Sequence, residues 1–375
     1  MLGPELTFVG RTGVLFEGRE LTFFGGNDYH RLSRHPEVVQ ALIDGALRYG
    51  LNPSGSRVTS GNHPLYLQLE AQIAAFLGTE AATILPAGYM SNAALLAAII
   101  EEFTVLFVDE KAHPSLREAA AQSGRRVVVF RHADPDDLAA RCVEILQIAD
   151  RPLLLTDGVA ANTGDLAPLA AYLEILRLWD GRVHVDDCHG LGVLGATGKG
   201  SWEAAGVSRE GTYQAGTLSK AFGSFGGVVA GSDALIQSLR KRSMGFVGST
   251  PMPIPVAAAA LRSLEVLTAA PEMISHLAER ALTFKLFLRS QGFRAAEGAS
   301  PICSVTFFDE ARNRILFQLL LENGIYPSFI NYPGCPPGGH FRFTLSGAHT
   351  EEQLQALRTA IETAVRLNGP PPPSP

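Results

Sequence analysis

The chain has 375 residues, 46% of them apolar, and a formal net charge of −6 at neutral pH. That length suits one large and one smaller domain, and the acidic balance argues against a nucleic-acid or anionic-membrane surface. With no uncharged apolar run of about 18 residues and no basic, apolar leader in MLGPELTFVG, a soluble cytoplasmic protein without a membrane span is expected.

Residues 7–24 read as the short strands of a hairpin, with turn signals at Gly10–Gly13 and Glu17–Gly18–Arg19. A helix is expected near 36–49 and another over 65–77, where LYLQLEAQIAAFL has apolar residues at helical spacing. ATILPAGYMSNAALLAAII, 82–100, runs from a short strand through a glycine turn into a helix. VLFVDE (105–110), RVVVF (126–130), PLLLTDG (152–158) and RVHVDD (182–187) are short, apolar and rich in β-branched residues. Helical stretches at 114–123, 135–149 and 168–179 separate them. This alternation predicts an α/β fold, a mostly parallel sheet covered by helices on both faces, with GVVAGS at 227–232 as one further strand.

Prolines at 251, 253 and 255 mark a break near 250. Helices at 256–269, 272–290, 311–323 and 350–367, with strands at 302–308 and 340–346, then predict a smaller α+β domain. The expected organisation is an N-terminal segment (1–45), a large cofactor-binding domain (46–250), a small C-terminal domain (251–367) and a disordered proline-rich tail (368–375). The four cysteines, Cys142, Cys188, Cys303 and Cys335, are scattered, so neither a zinc site nor a disulfide framework is expected.

In open α/β sheets the ligand site lies beyond the carboxyl ends of the strands. The polar residues in that position are Asp109 to His113, Asp157, and the run Asp186, Asp187, Cys188, His189. Lys220 sits among small residues in GTLSKAFGSFGG (216–227), where an amine can reach into a crevice and act as a nucleophile. Asp186, at a strand end, can hold a protonated ring nitrogen. LPAGYMSN, 85–92, presents free backbone N–H groups and a positive dipole end to an anion. His113 stands in DEKAHPSL. Singly these are ordinary features: a surface lysine, a cap, a turn, a structural histidine. Together they are the parts of a pyridoxal-phosphate site. Neither a dinucleotide fingerprint nor a Walker A loop is present.

The order NDY (27–29), SGSRVTSG (54–61), AGYMSN (87–92), TDGV (156–159), VDDCHGLGVLG (185–195), GTLSKAFGSFGG (216–227), STPMP (249–253) and SGAHT (346–350) resembles the α-oxoamine synthases among fold-type I pyridoxal-phosphate enzymes. The likeness runs from about residue 14 to 365. It implies a homodimeric acyltransferase that condenses an amino acid with an acyl-CoA, or another acyl-carrier thioester, with loss of carbon dioxide. Of its branches the 8-amino-7-oxononanoate synthases, which take L-alanine and pimeloyl-CoA, fit the length and motif style. The resemblance further implies that Lys220 links covalently to the cofactor and acts as base at the substrate Cα. Asp186 would pair with the pyridinium nitrogen, His189 would bond the ring oxygen O3′, and His113 would stack on the ring and polarise the thioester carbonyl. Gly88, Tyr89, Thr217 and Ser219 would hold the phosphate, joined by Thr250 from a second subunit. Asn27 would lie near the substrate carboxylate.

The sequence departs from the family pattern at four places. An arginine gripping the carboxylate is expected two residues before Arg342, where His340 stands; either Arg342 or a protonated His340 would then take that part. Ala161–Asn162–Thr163–Gly164 lacks the usual serine. Tyr66 replaces a histidine, with His63 nearby. His30–Arg31 replaces Leu–Gly, adding positive charge suited to an acidic acyl group. An aminotransferase on the same fold is the alternative reading, favoured by keto-acid-dependent amino transfer.

Overall fold

The computed structural model describes residues 3–331 and 335–372. Gly10 and Gly18, both at positive φ, turn the first strands back on one another. These are β1 (Thr7–Val9), β2 (Gly13–Phe16) and β3 (Arg19–Thr22), an antiparallel sheet of three. There follow α1 (Pro36–Tyr49), α2 (Pro64–Leu77), β4 (Ala81–Leu85), α3 (Tyr89–Ile99), β5 (Val105–Asp109), α4 (Pro114–Gln122) and β6 (Arg126–Phe130). The large domain continues with α5 (Pro135–Ile145), β7 (Pro152–Asp157), α6 (Leu169–Leu176), β8 (Arg182–Asp186), the single turn α7 (Ser201–Ala204), β9 (Thr212–Thr217) and β10 (Gly227–Gly231). Pro36, Pro64, Pro114 and Pro135 each open a helix, where the missing N–H has no intrahelical acceptor to lose.

Strands β4 to β10 form one seven-stranded sheet in the order β4-β10-β9-β8-β7-β5-β6. Only β10 runs against its neighbours, so the carboxyl ends of the other six lie along one edge. Side chains alternate between faces. Leu106, Val108, Leu153 and Leu155 pack with Leu95 of α3 and Leu116 of α4. Val105, Phe107, Leu154 and Val183 pack with Leu138 of α5 and Tyr172 of α6. Strand β9 was not among the expected strands. TYQAGT has no apolar run, and its strand state comes from its place between β8 and β10.

Beyond β10 come α8 (Asp233–Arg242), the short α9 (Met244–Val247), α10 (Ile254–Ala269) and α11 (Glu272–Ser290). The chain then forms β11 (Ile302–Val305), α12 (Glu310–Glu322), β12 (Phe329–Ile330), β13 (His340–Thr344) and α13 (Glu351–Asn368). Strands β11, β13 and β12 pair antiparallel in a second small sheet. The prolines near 250 open α10, but α10 packs into the core around Tyr29, Leu69 and Ile73. A separate core of Phe284, Leu288, Val305, Leu316, Phe341 and Leu357 begins only within α11. The first sheet rests on this side, with Val14, Leu21 and Phe23 against Leu321 and Tyr326.

The tail expected to be disordered from 368 is placed as far as Pro372. Arg312 donates to the carbonyls of Gly369 and Pro370, at 2.7 Å each, and these bonds tie the start of the proline run to α12. Residues 373–375 lie outside the described residues. No single described helix is long and apolar enough to cross a membrane.

Candidate active site

The polar carboxyl ends of β5, β7, β8 and β9 meet the turn after β4. At their centre, Lys220 Nζ lies 2.8 Å from His189 Nε2, and His189 Nδ1 lies 2.5 Å from the Tyr29 hydroxyl. Burial, followed by the charges of Lys220 and Arg342, pushes the His189 pKa far down, so its ring is neutral.

Asp186 ends β8 with one carboxylate oxygen accepting from the Cys188 N–H at 3.0 Å. The other accepts from Asn92 Nδ2 at 2.6 Å. The same Asn92 nitrogen donates to Ser115 Oγ at 2.8 Å, and Ser115 Oγ lies 2.7 Å from His113 Nδ1. Asn92 thus ties the strand-end acid to the histidine expected over the cofactor. Neighbouring β7 ends in Asp157, in register with Asp186. Its carboxylate accepts the His113 backbone N–H at 2.8 Å. Burial and the Asp186 charge raise the Asp157 pKa well above the usual carboxylate range. For Asp186 burial acts in the same direction, but Lys220 and the bonds from Cys188 and Asn92 hold it below that range. The two acids are driven apart: Asp186 is held toward its charged form and Asp157 is pushed toward its protonated form.

The turn into α3 builds an anion cradle. Gly88 and Tyr89 stand at a helix N-terminus, whose first N–H groups have no intrahelical acceptor. A Cβ on Gly88 would stand 2.6 Å from Thr217 Oγ1, so only glycine leaves that space open. Thr217 Oγ1 lies 2.8 Å from Ser219 Oγ and donates to the Gly226 carbonyl at 2.9 Å. The Tyr89 ring is half exposed and meets His113 edge-on at 5.8 Å between centroids.

Arg342 reaches the same place from the small domain. Its guanidinium donates to Asn27 Oδ1 at 2.9 Å, the Ala161 carbonyl at 2.6 Å and Thr344 Oγ1 at 3.0 Å, and it stands beside the Tyr29 hydroxyl. His340 does not join it. Though it lies two residues away on β13, it lines a separate cavity of about 600 Å³ with Lys111, Thr306 and Cys335. Burial, then the Arg342 charge, pushes its pKa down to about 4. Burial thus works against a protonated His340 near neutral pH, and its cavity lies apart from the Lys220 cluster.

Two other expectations, those for His30 and His63, are corrected. His30 adds no charge: it is buried, its pKa is depressed by burial, and Nε2 lies 2.7 Å from the Gly192 carbonyl. His63 does not substitute for a site histidine; it caps α2, accepting the Leu65 N–H at 3.3 Å. Tyr66 is a core residue whose hydroxyl donates to the Met252 carbonyl at 2.6 Å. Thr250 is exposed on the segment between α9 and α10 and makes no hydrogen bond to the Lys220 cluster among the described residues.

A family model for aminotransferase class I and II matches residues 19–361. The chain belongs to that family. Within the aminotransferase class I and II family its relatives are α-oxoamine synthases. It is 35% identical to the 8-amino-7-oxononanoate synthase of Symbiobacterium thermophilum, over 97% of this chain and 93% of that protein. It is 36% identical to that of Thioalkalivibrio sulfidiphilus, over 93% and 90% of the two chains. Among solved structures, a Sphingomonas wittichii serine palmitoyltransferase superposes with a TM-score of 0.88 at 28% identity, covering 96% of this chain and 91% of that one. The chain is thus an α-oxoamine synthase and a pyridoxal-phosphate-dependent acyltransferase. The residues present fit the cofactor: a glycine-walled anion cradle, an ionised buried acid held by Asn92, and a lysine beside a neutral histidine. Sequence reasoning passed over Tyr29, Asn92, Ser115 and the part of Asp157. NDY and AGYMSN contain two of them, but nothing local says which of their polar residues turn inward.

Proposed function

We propose that this enzyme joins an amino acid to the acyl group of a dicarboxylic acyl-CoA, as its 8-amino-7-oxononanoate synthase relatives join L-alanine to pimeloyl-CoA. The observation that carries the reading is Arg342 meeting Asn27 beside the Lys220–His189 pair, with a cationic cavity next to it. That cavity, about 350 Å³, is lined by Arg11, Arg31 and Arg34 against one acid, Asp28, and reaches Asn27, Ser219 and Gly223. A terminal carboxylate on the acyl chain suits it.

Pyridoxal phosphate supplies an electron sink for charge that develops at the amino-acid α-carbon. Gly88, Tyr89, Thr217 and Ser219 would hold its phosphate, and Asp186 would pair with its ring nitrogen. Arg342 and Asn27 hold the amino-acid carboxylate. Lys220 takes the proton from the α-carbon. His113 would stack on the ring and donate toward the thioester carbonyl as the new carbon–carbon bond forms. His189 would bond the ring oxygen.

The functional unit in this reading is a homodimer. Val39, Ile43 and Leu47 recur every fourth residue along α1 and are exposed, with Leu51 just beyond. Such an apolar stripe suits a second copy of this chain, which would also bring its Thr250 to the phosphate. Catalysis in the cytoplasm, where CoA thioesters are plentiful, agrees with four free cysteines.

The experiment is thiol release by the purified protein with added cofactor, crossing alanine, glycine, serine and threonine with short, long and dicarboxylic acyl-CoAs. Release that needs alanine and a dicarboxylic acyl-CoA together, and disappears in Lys220→Ala, is the expected result. Amino transfer to a keto acid without thiol release would overturn the reading.

A further inference from the structure

Tyr29 lies between β3 and α1 with no exposed surface. Its hydroxyl is 2.5 Å from His189 Nδ1, while His189 Nε2 is 2.8 Å from Lys220 Nζ. The Arg342 guanidinium stands beside the same hydroxyl. Burial above all raises the Tyr29 pKa to about 12, so the phenol keeps its proton. The neutral His189 ring has one nitrogen that donates and one that accepts.

Those roles must exchange when the cofactor arrives. Toward a lysine ammonium, which has donors only, Nε2 has to accept, and Nδ1 then carries the proton. Toward the phenolic oxygen of pyridoxal phosphate, Nε2 has to donate, and Nδ1 then accepts. The partner at Nδ1 must therefore accept in one state and donate in the other. A carboxylate or a backbone carbonyl would lock the ring in one tautomer. A hydroxyl serves both. Arg342, with donors only, leaves the hydroxyl proton free for either state.

We propose that Tyr29 is the positioning residue of His189: its hydroxyl fixes the ring and reverses its hydrogen bond, so that Nε2 accepts from free Lys220 and donates to the ring oxygen of bound pyridoxal phosphate. The assignment rests on the reading that His189 faces that oxygen.

The test is a double-mutant cycle on pyridoxal phosphate affinity, measured by equilibrium dialysis on the purified full-length protein. The variants are Tyr29→Phe, His189→Asn and the pair. Tyr29→Phe weakens binding by about fivefold in the wild-type background and by less than about twofold beside His189→Asn. The absorbance of the bound cofactor, titrated with pH, has a shifted midpoint in Tyr29→Phe. It is unmoved in Tyr172→Phe, which removes a buried hydroxyl on α6, away from the site. Equal losses in both backgrounds, with an unshifted titration, would reduce Tyr29 to a packing residue and overturn the assignment. Thermal midpoints of the same samples separate that outcome from general unfolding. If the wild-type protein bound no pyridoxal phosphate, the proposed function itself would fall; binding with an additive cycle removes only Tyr29.

Discussion

At the scale of single residues, the proposed grip on an amino acid turns on the choice between Arg342 and His340. Both side chains leave the same face of β13, two residues apart, yet one meets Asn27 and the other lines a different cavity. A planar guanidinium can grip a carboxylate through two parallel bonds, which an ammonium cannot reproduce. Arg342→Lys is expected to raise the KM for the amino acid by about 10-fold or more while leaving that for the acyl-CoA within about twofold. His340→Gln is expected to leave both KM values within about twofold. Steady-state kinetics with each substrate varied in turn checks this, and the reverse pattern would hand the carboxylate to His340. Lys220 and Asp186 stood out in the sequence as candidates because each belongs to a local signal, a small-residue loop or a strand that ends in acids; His189 was placed by the family resemblance. Tyr29, Asn92 and Asp157 could not, because their roles arise where separate strands and loops meet. Asp157 and Asp186 look alike in sequence. Only their pairing across β7 and β8, with Lys220 the largest force lowering Asp186, pushes one toward the charged form and the other toward the protonated one.

At the scale of elements, α1 has two faces with different tasks. Its inner side packs against α10 so closely that a Cβ on Gly45 would stand 3.1 Å from Ala258 and Pro255. Gly45→Val is expected to lower stability by about 1–3 kcal/mol, since the gain in helix propensity is smaller than the overpacking cost. Chemical denaturation checks it; a variant as stable as the parent would show that the two helices can part freely. The outer face carries the exposed Ile43 and Leu47. Ile43→Glu with Leu47→Glu is expected to give a monomer by light scattering and to reduce activity by more than about 10-fold, because a charge in the middle of an apolar interface lacks a partner. A dimer that persisted with full activity would place the contact elsewhere. The alternation of strands and helices was legible because apolar runs and opening prolines announce them. Strand β9 was not, because a central strand can draw its order from neighbours and need not have apolar residues of its own.

For the whole molecule, buried histidines set the response to acid. Burial is the largest cause holding the pKa values of His184 and His340 near about 4 and that of His349 near about 3, and it depresses His30 and His189 as well. Above the ordinary histidine value both folded and unfolded chains are neutral there. As the pH falls below about 6.5, the unfolded chain takes up protons that the folded chain refuses, and stability drops. Asp187 works the other way, because burial raises its pKa to about 6 and the folded state gains a proton first. With the histidines in the majority, the melting temperature of the cofactor-free protein is expected to be roughly 5 °C or more lower at pH 5 than at pH 7.5. Asp187→Asn should steepen that fall, and calorimetry across the pH range measures both; a melting temperature that rose toward pH 5 would contradict the account. One strand has a consequence for how the protein is made. Strand β10 lies between β4 and β9, whose ends supply Gly88 and Thr217. During synthesis Gly88 emerges long before β10, and until that strand is inserted no backbone pairing joins β4 to β9; the Ser91 bond to the Gly216 carbonyl is then the tie between the two halves of the proposed anion cradle that the sheet does not supply. A nascent chain can form the parallel strands β5 to β9 and still have no place for the phosphate. In the proposed reading, the full geometry for capturing the cofactor is complete only with the one strand that runs against the rest.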